Sequence, residues 1–142
     1  MRVDWRKEFM KNKLMLMEAF LMLGIFKVLL RTMKLRQIAG FLGKSNRVTD
    51  FSDTGINTDI RRRVSGAVRR MSRHTPWESN CLVQACAAKL MLNLRKQPGT
   101  VYFGVRKNKK GKMIAHAWVR CGTYYVCGGN GDGIYQITGT LS

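Results

Sequence analysis

The apolar residues of the first third recur at helical spacing with little polar relief. Residues 5–42 therefore read as helix, broken into two, with KLMLMEAFLMLGIFKVLL (13–30) the densest stretch. Glu18 and Lys27 interrupt it and leave residues 19–26 as the longest uncharged run. That run is far shorter than the ~20 apolar residues a membrane span requires. Two placements suit such a segment: a helix buried between protein layers, or a basic amphipathic helix lying on a membrane or a membrane-bound partner. Residues 43–60 are polar and rich in turn formers, so they read as loop. In residues 61–73, Val64, Ala67, Val68 and Met71 share one helical face with arginines around them. This predicts a short basic helix whose polar face is either solvated or a surface for acidic groups.

Residues 75–97 carry the strongest helical signal: TPWESN, then CLVQACAAKLMLNLRKQ. Thr75 and Glu78 offer a capping box, with Pro76 in a first turn. Ser79 or Asn80 as the N-cap would instead start the main helix at Cys81. Pro98-Gly99 ends it. From residue 100 the pattern changes to strands: VYFGV (101–105), MIAHAWVR (113–120), YYVCGG (124–129) and IYQITGTL (134–141). A basic loop at 107–112 and a turn at Cys121-Gly122-Thr123 join the first three. Helices followed by an antiparallel meander predict an α+β fold. Three segments follow: an apolar, basic helical region (1–45), a loop with a short basic helix (46–74) and a core (75–142). At 142 residues they suit one compact unit.

Charge narrows the partners. Lys and Arg number 26 against 8 Asp and Glu, a formal +18. Such a field favours nucleic acid, anionic lipid or acidic peptides. Nucleic acid is disfavoured. Basic clusters stand at Arg61–Arg63, Arg69–Arg70 and Lys107–Lys112, but there is no recognised nucleic-acid motif and no strand interleaving exposed aromatics with basics. The four cysteines, Cys81, Cys86, Cys121 and Cys127, form no C-x-x-C pair, which argues against structural zinc. The charged start does not read as a secretory signal. Free thiols in a reducing cytoplasm are therefore expected, with the N-terminal helices able to associate with a membrane surface.

A thiol nucleophile needs a lowered pKa, a base within reach and a group that orients the base. Cys81 stands at the start of a helix, where the macrodipole and free N–H groups favour a thiolate and an oxyanion. Cys86, within QACAA, reads as a small buried hydrophobe. There are two histidines. His74 lies in a basic stretch, whereas His116 lies in a strand between alanines that leave room for a facing helix. For the third member there are two candidates. A turn centred on Gly122 puts His116 opposite residue 128, and residues 128–130 read Gly-Gly-Asn, so Asn130 is the nearest polar side chain. Asp132 is the sole carboxylate side chain after Glu78.

The runs PWESNCLVQACAAKLML, VYFGV and AHAWVRCG, with the helical N-terminal third, resemble the transglutaminase-like leader peptidases of lasso-peptide biosynthesis. The likeness covers most of the chain and is carried by W-x-S-x-C-L together with A-H-A-W. It implies a transglutaminase-like or papain-like core, with the cysteine helix packed on an antiparallel sheet and no metal or organic cofactor. It also implies a cysteine peptidase that removes the leader from a ribosomally made precursor through a thioester. The implied partners are the precursor peptide, a separate leader-recognition protein and an asparagine-synthetase-like lasso cyclase. Carried over, Cys81 is the nucleophile and His116 the base. The family's acidic member falls where this chain has Gly128, a departure that leaves Asp132 or Asn130 as its substitute. Trp77, Ser79 and Trp118 match the motifs and, with Asn80, border the substrate and oxyanion region. The tryptophans are expected to wall the cleft or pack the core, and Ser79 to cap the helix. Other acyl transfers, such as deamidation or cross-linking, use the same Cys/His pair. A nucleic-acid module or a non-catalytic scaffold are the readings without chemistry.

Overall fold

Among the residues that the computed structural model describes, 5–131 and 133–142, four helices precede four strands. The helices are α1 (Trp5–Thr32), α2 (Leu35–Leu42), α3 (Thr58–Ser72) and α4 (Cys81–Leu94). The strands are β1 (Thr100–Lys107), β2 (Met113–Cys121), β3 (Tyr124–Cys127) and β4 (Gln136–Leu141). The fold is thus α+β. No helix among the described residues is long and apolar enough to cross a membrane.

One stripe of α1, including Ala19, Leu23 and Phe26, is buried in the core. The opposite stripe is open to solvent, so α1 is not sandwiched between protein layers. Glu18 anchors the helix through a two-pronged ion pair with Arg95 beyond α4, at 2.7 and 2.6 Å. A two-pronged pair of this kind fixes orientation as well as distance.

α3 begins earlier than its apolar period suggests, because the Asn57 side chain caps it by accepting from the N–H groups of Asp59 and Ile60. Its arginines are not a merely solvated face. Arg61 is buried and donates to Asp53 at 2.7 and 3.2 Å and to the Cys121 carbonyl at 3.0 Å. Arg69 donates to the carbonyls of Val126 and Tyr125. These side chains pin α3 to the end of β2 and to β3.

α4 is the central helix. Asn80 is its N-cap, with its side chain accepting from Val83 N–H at 3.1 Å, and Cys81 is its first residue. The Thr75 and Glu78 pattern therefore does not form a capping box here; Thr75 instead shares a hydroxyl hydrogen bond with Ser79 at 2.9 Å. The small buried residues Ala85, Cys86, Ala87 and Ala88 let α3 and the sheet approach α4 closely.

The sheet has the order β3-β2-β1-β4, all neighbours antiparallel. It is not the simple meander expected. After β3 the chain crosses the face of the sheet over Trp118, where Gly131 and Tyr135 lie, and β4 then pairs with the outer edge of β1. The turn between β2 and β3 has two residues, Gly122 and Thr123, and Gly122 takes the positive φ (63°) that the first position of such a turn demands.

Side chains of β2 alternate between the two faces. Ala117, Val119 and Cys121 join the core shared with α4. On the other side, Arg120 is fully buried and donates to the carbonyls of Thr49, Asp50 and Gly122 and to the Tyr102 hydroxyl. Its guanidinium also lies 3.6 Å from the centre of the Phe51 ring. One buried cluster takes residues from all three sequence segments, from Ala19 through Val64 to Leu141.

Candidate active site

The N-cap places the first functional group. Because Asn80 ends the extended approach and begins α4, Cys81 occupies the first helical turn, where backbone N–H groups have no intrahelical acceptor. Of the four free thiols, Cys81 alone is half-buried; the others are buried. Burial pushes the thiols of Cys86 and Cys127 up to about 12, and it raises that of Cys121 as well. A thiol held that high stays protonated and inert at neutral pH.

Cys81 and Asn80 line a cavity of about 490 Å³ together with Leu35, Leu82, Phe103, Val105, Ala115, His116 and Thr138. The structure thus brings the expected nucleophile and the expected base to one apolar-walled cleft. Among the described residues the Cys81 thiol makes no hydrogen bond to the imidazole. Such pairs commonly tighten only around substrate.

His116 lies on β2 directly opposite Gly104 of β1. Its Nε2 is 2.8 Å from the carbonyl oxygen of Gly128. A carbonyl only accepts, so Nε2 carries the proton and donates it. In the neutral ring, Nδ1 is then the free acceptor, the nitrogen that can take a proton from a thiol. The ring is also held by stacking, with Tyr135 at 4.9 Å and Trp118 at 5.8 Å between centroids.

Gly128 has φ +78°, and a Cβ there would lie 2.5 Å from the Ala117 carbonyl oxygen and 2.8 Å from Trp118. Backbone conformation and crowding together require glycine at this position. In the neighbouring loop crowding alone acts: a Cβ on Gly131 would meet the Trp118 indole at 2.8 Å. Asn130, one of the two expected orienters, is exposed, and Asp132, the other, lies outside the described residues.

The remaining motif residues divide between support and lining. Trp77 lies outside the cavity and packs on α1, 5.1 Å from the Phe20 ring and against Gly24. Trp118 is fully buried beneath His116, stacked on Tyr102 at 5.4 Å. Ser79 does not cap α4; its carbonyl accepts from the Gln84 side chain at 2.8 Å, which steadies the approach to Cys81. His74 is exposed just beyond α3 and does not line the cavity. Sequence reasoning missed the Gly128 carbonyl and Tyr135. The signal for the first was glycine at the position where an acid was expected. No three His, Cys, Asp or Glu side chains among the described residues converge as a bound metal would require.

A family profile described as the transglutaminase-like superfamily matches residues 21–137, most of the chain, Cys81, His116 and Gly128 included. No curated protein and no solved structure matches the chain significantly.

Proposed function

Because this chain belongs to the transglutaminase-like superfamily, with cysteine-dependent acyl transfer or proteolysis as its chemistry, we propose that it is a cysteine peptidase that removes the leader from a lasso-peptide precursor. The observation that carries the chemistry is the cavity shared by Cys81, at the α4 N-terminus, and His116, whose Nε2 is held by the Gly128 carbonyl. His116 Nδ1 takes the proton of the Cys81 thiol, and the thiolate attacks the carbonyl carbon at the leader–core junction. The N–H groups of Cys81 and Leu82, at the start of α4, face the developing oxyanion. The imidazolium then gives its proton to the leaving amine, the C–N bond breaks and a Cys81 thioester remains. Water, deprotonated by His116, hydrolyses the thioester and restores the thiol.

The apolar walls of the cavity suit small or apolar side chains next to the scissile bond. The N-terminal region is helical and packed on the core, so recognition of the leader falls to a separate protein, and the freed core passes to an asparagine-synthetase-like cyclase. The W-x-S-x-C-L and A-H-A-W motifs support this choice of substrate over deamidation or cross-linking.

The test is mass spectrometry of the co-encoded precursor incubated with this protein and the leader-recognition protein. One cut at the leader–core junction is expected, absent with Cys81→Ala and with His116→Ala. A mass increase of one unit, or a cross-linked product, would reassign the same pair to another acyl transfer. An unchanged precursor with all proteins folded would remove the peptidase reading. Asn130→Ala and Asp132→Ala, in the same assay, should each keep cleavage within about tenfold of the parent if the Gly128 carbonyl orients the base.

A further inference from the structure

The outer face of α1 has no role in the fold or in the proposed chemistry. Met10, Leu14, Met17, Leu21, Ile25 and Val28 are spaced by three and four residues and are each between 47% and 60% exposed. They form one continuous stripe about 27 Å long, at 1.5 Å per residue. A helix apolar on all sides is ordinarily covered on all sides. Here the core covers only the face bearing Ala19, Leu23 and Phe26. A groove of about 390 Å³ adjoins the stripe, lined by Leu16, Phe20 and Met71 beside Met17 and Leu21.

The flanks identify the cover. By helical rotation Lys11 falls on one side of the stripe, and Lys13 and Arg31 on the other. Lys27 stands next to Val28 on the same side as Lys13. Glu18, an acid of this helix, is turned to Arg95. Within the stripe there is no aromatic anchor and no hydrogen-bonding group, whereas protein–protein hot spots favour Trp, Tyr and Arg. Aliphatic side chains with Lys13, Lys27 and Arg31 along one flank and Lys11 on the other match a surface with an apolar interior and anionic headgroups. The formal charge of +18 adds long-range attraction to such a surface.

We propose that the outer face of α1 seats this protein on an anionic phospholipid bilayer, with the helix in the plane of the interface. The long lysine and arginine stems reach outward to the headgroups while the Met, Leu, Ile and Val side chains enter the acyl boundary. No charge is carried to the bilayer centre, in keeping with a helix too charged to span.

The test uses the full-length protein and sedimentation with vesicles of phosphatidylcholine alone or mixed with phosphatidylglycerol. Binding should be about tenfold or more stronger to the anionic vesicles and fall as salt rises. Met17→Glu with Leu21→Glu should lower it by about tenfold or more, with an unchanged melting midpoint. Ile25→Gln with Val28→Gln is a second stripe variant should the first fail to fold. Cys81→Ala should bind like the parent, which separates this surface from the chemistry. Absence of anionic-vesicle binding would overturn the proposal. So would binding that is undiminished in both folded stripe variants. A dimer that the stripe variants convert to monomer, without vesicle binding, would assign the face to a second copy of the chain.

Discussion

A backbone carbonyl holds an imidazole differently from a carboxylate. It selects the tautomer by accepting from Nε2, but it adds no full negative charge to stabilise the imidazolium. That arrangement depends on the loop path, because the Gly128 carbonyl is aimed at His116 by a φ of +78°. Gly128→Ala is expected to destabilise the protein by about 1–3 kcal/mol, from positive φ and from overpacking against Ala117 and Trp118. Urea unfolding measures that cost. At substrate saturation, turnover should fall further than the folded fraction accounts for, since the carbonyl turns away from the ring; unchanged turnover would mean that the carbonyl does not orient the base. The thiols give a second residue-scale prediction. One equivalent of iodoacetamide should label the native protein near neutral pH, at Cys81, and four should label it when unfolded. Burial holds Cys86 and Cys127 near 12 and raises Cys121, leaving Cys81 as the half-buried thiol. Peptide mapping after labelling decides it, and native labelling at Cys127 would contradict the packing. At this scale much was legible. Asn80 and Cys81 follow from capping preferences, and a strand histidine between alanines is visible. A main-chain oxygen has no letter in the sequence, so the partner of His116 was not.

The elements are held in register by charged groups that work inside the fold. Arg61 lies beneath the β2–β3 turn, and Asp53 accepts from it and also from the N–H and hydroxyl of Thr123. The Arg61 hydrogen bond first, then those from Thr123, hold the Asp53 carboxyl well below the ordinary carboxylate range. A carboxyl with a depressed folded pKa stabilises the native state above its unfolded pKa, near 4, and loses that contribution as pH falls through the folded value. Asp53→Asn is therefore expected to lower the melting temperature at pH ~7 and to flatten its decline below pH ~4. Parallel pH-dependent melts of parent and variant, with the same acid slope in both, would show that the contact contributes nothing. Most helix and strand positions were legible from period; α3 gains the turn that the Asn57 cap adds, and the helix read over 75–97 is shorter, Cys81–Leu94. The place of β4 was not legible, because strand order depends on where the connection travels. Here glycines 128 and 131 let it lie flat on Trp118, and that close approach leads it to the free edge of β1.

Across the whole molecule, α1 presents two apolar faces that a linear pattern cannot separate. Its apolar residues are distributed all round, so the sequence predicted burial or surface contact as alternatives; the structure buries one face and leaves the other exposed. The inner face is part of the single core. Leu23 and Ala19 are fully buried, Phe26 nearly so, and Phe20 and Gly24 cover Trp77 on the approach to Cys81. The Glu18–Arg95 pair then fixes the helix to the far end of α4. Removing residues 1–34 would expose that core and the indole of Trp77 at once. Each large buried side chain whose cover is lost costs about 1.5–3 kcal/mol, and a few such losses equal the net stability of a domain this size. The truncated chain is therefore expected to lose cooperative thermal unfolding and near-ultraviolet circular dichroism, while keeping part of its helical signal. Retention of a sharp transition would mean that α1 is an appendage and that the core closes without it. Loss of the transition would make truncation uninformative about docking, and point substitutions on the outer stripe become the means to separate the surface role of α1 from its role in the core.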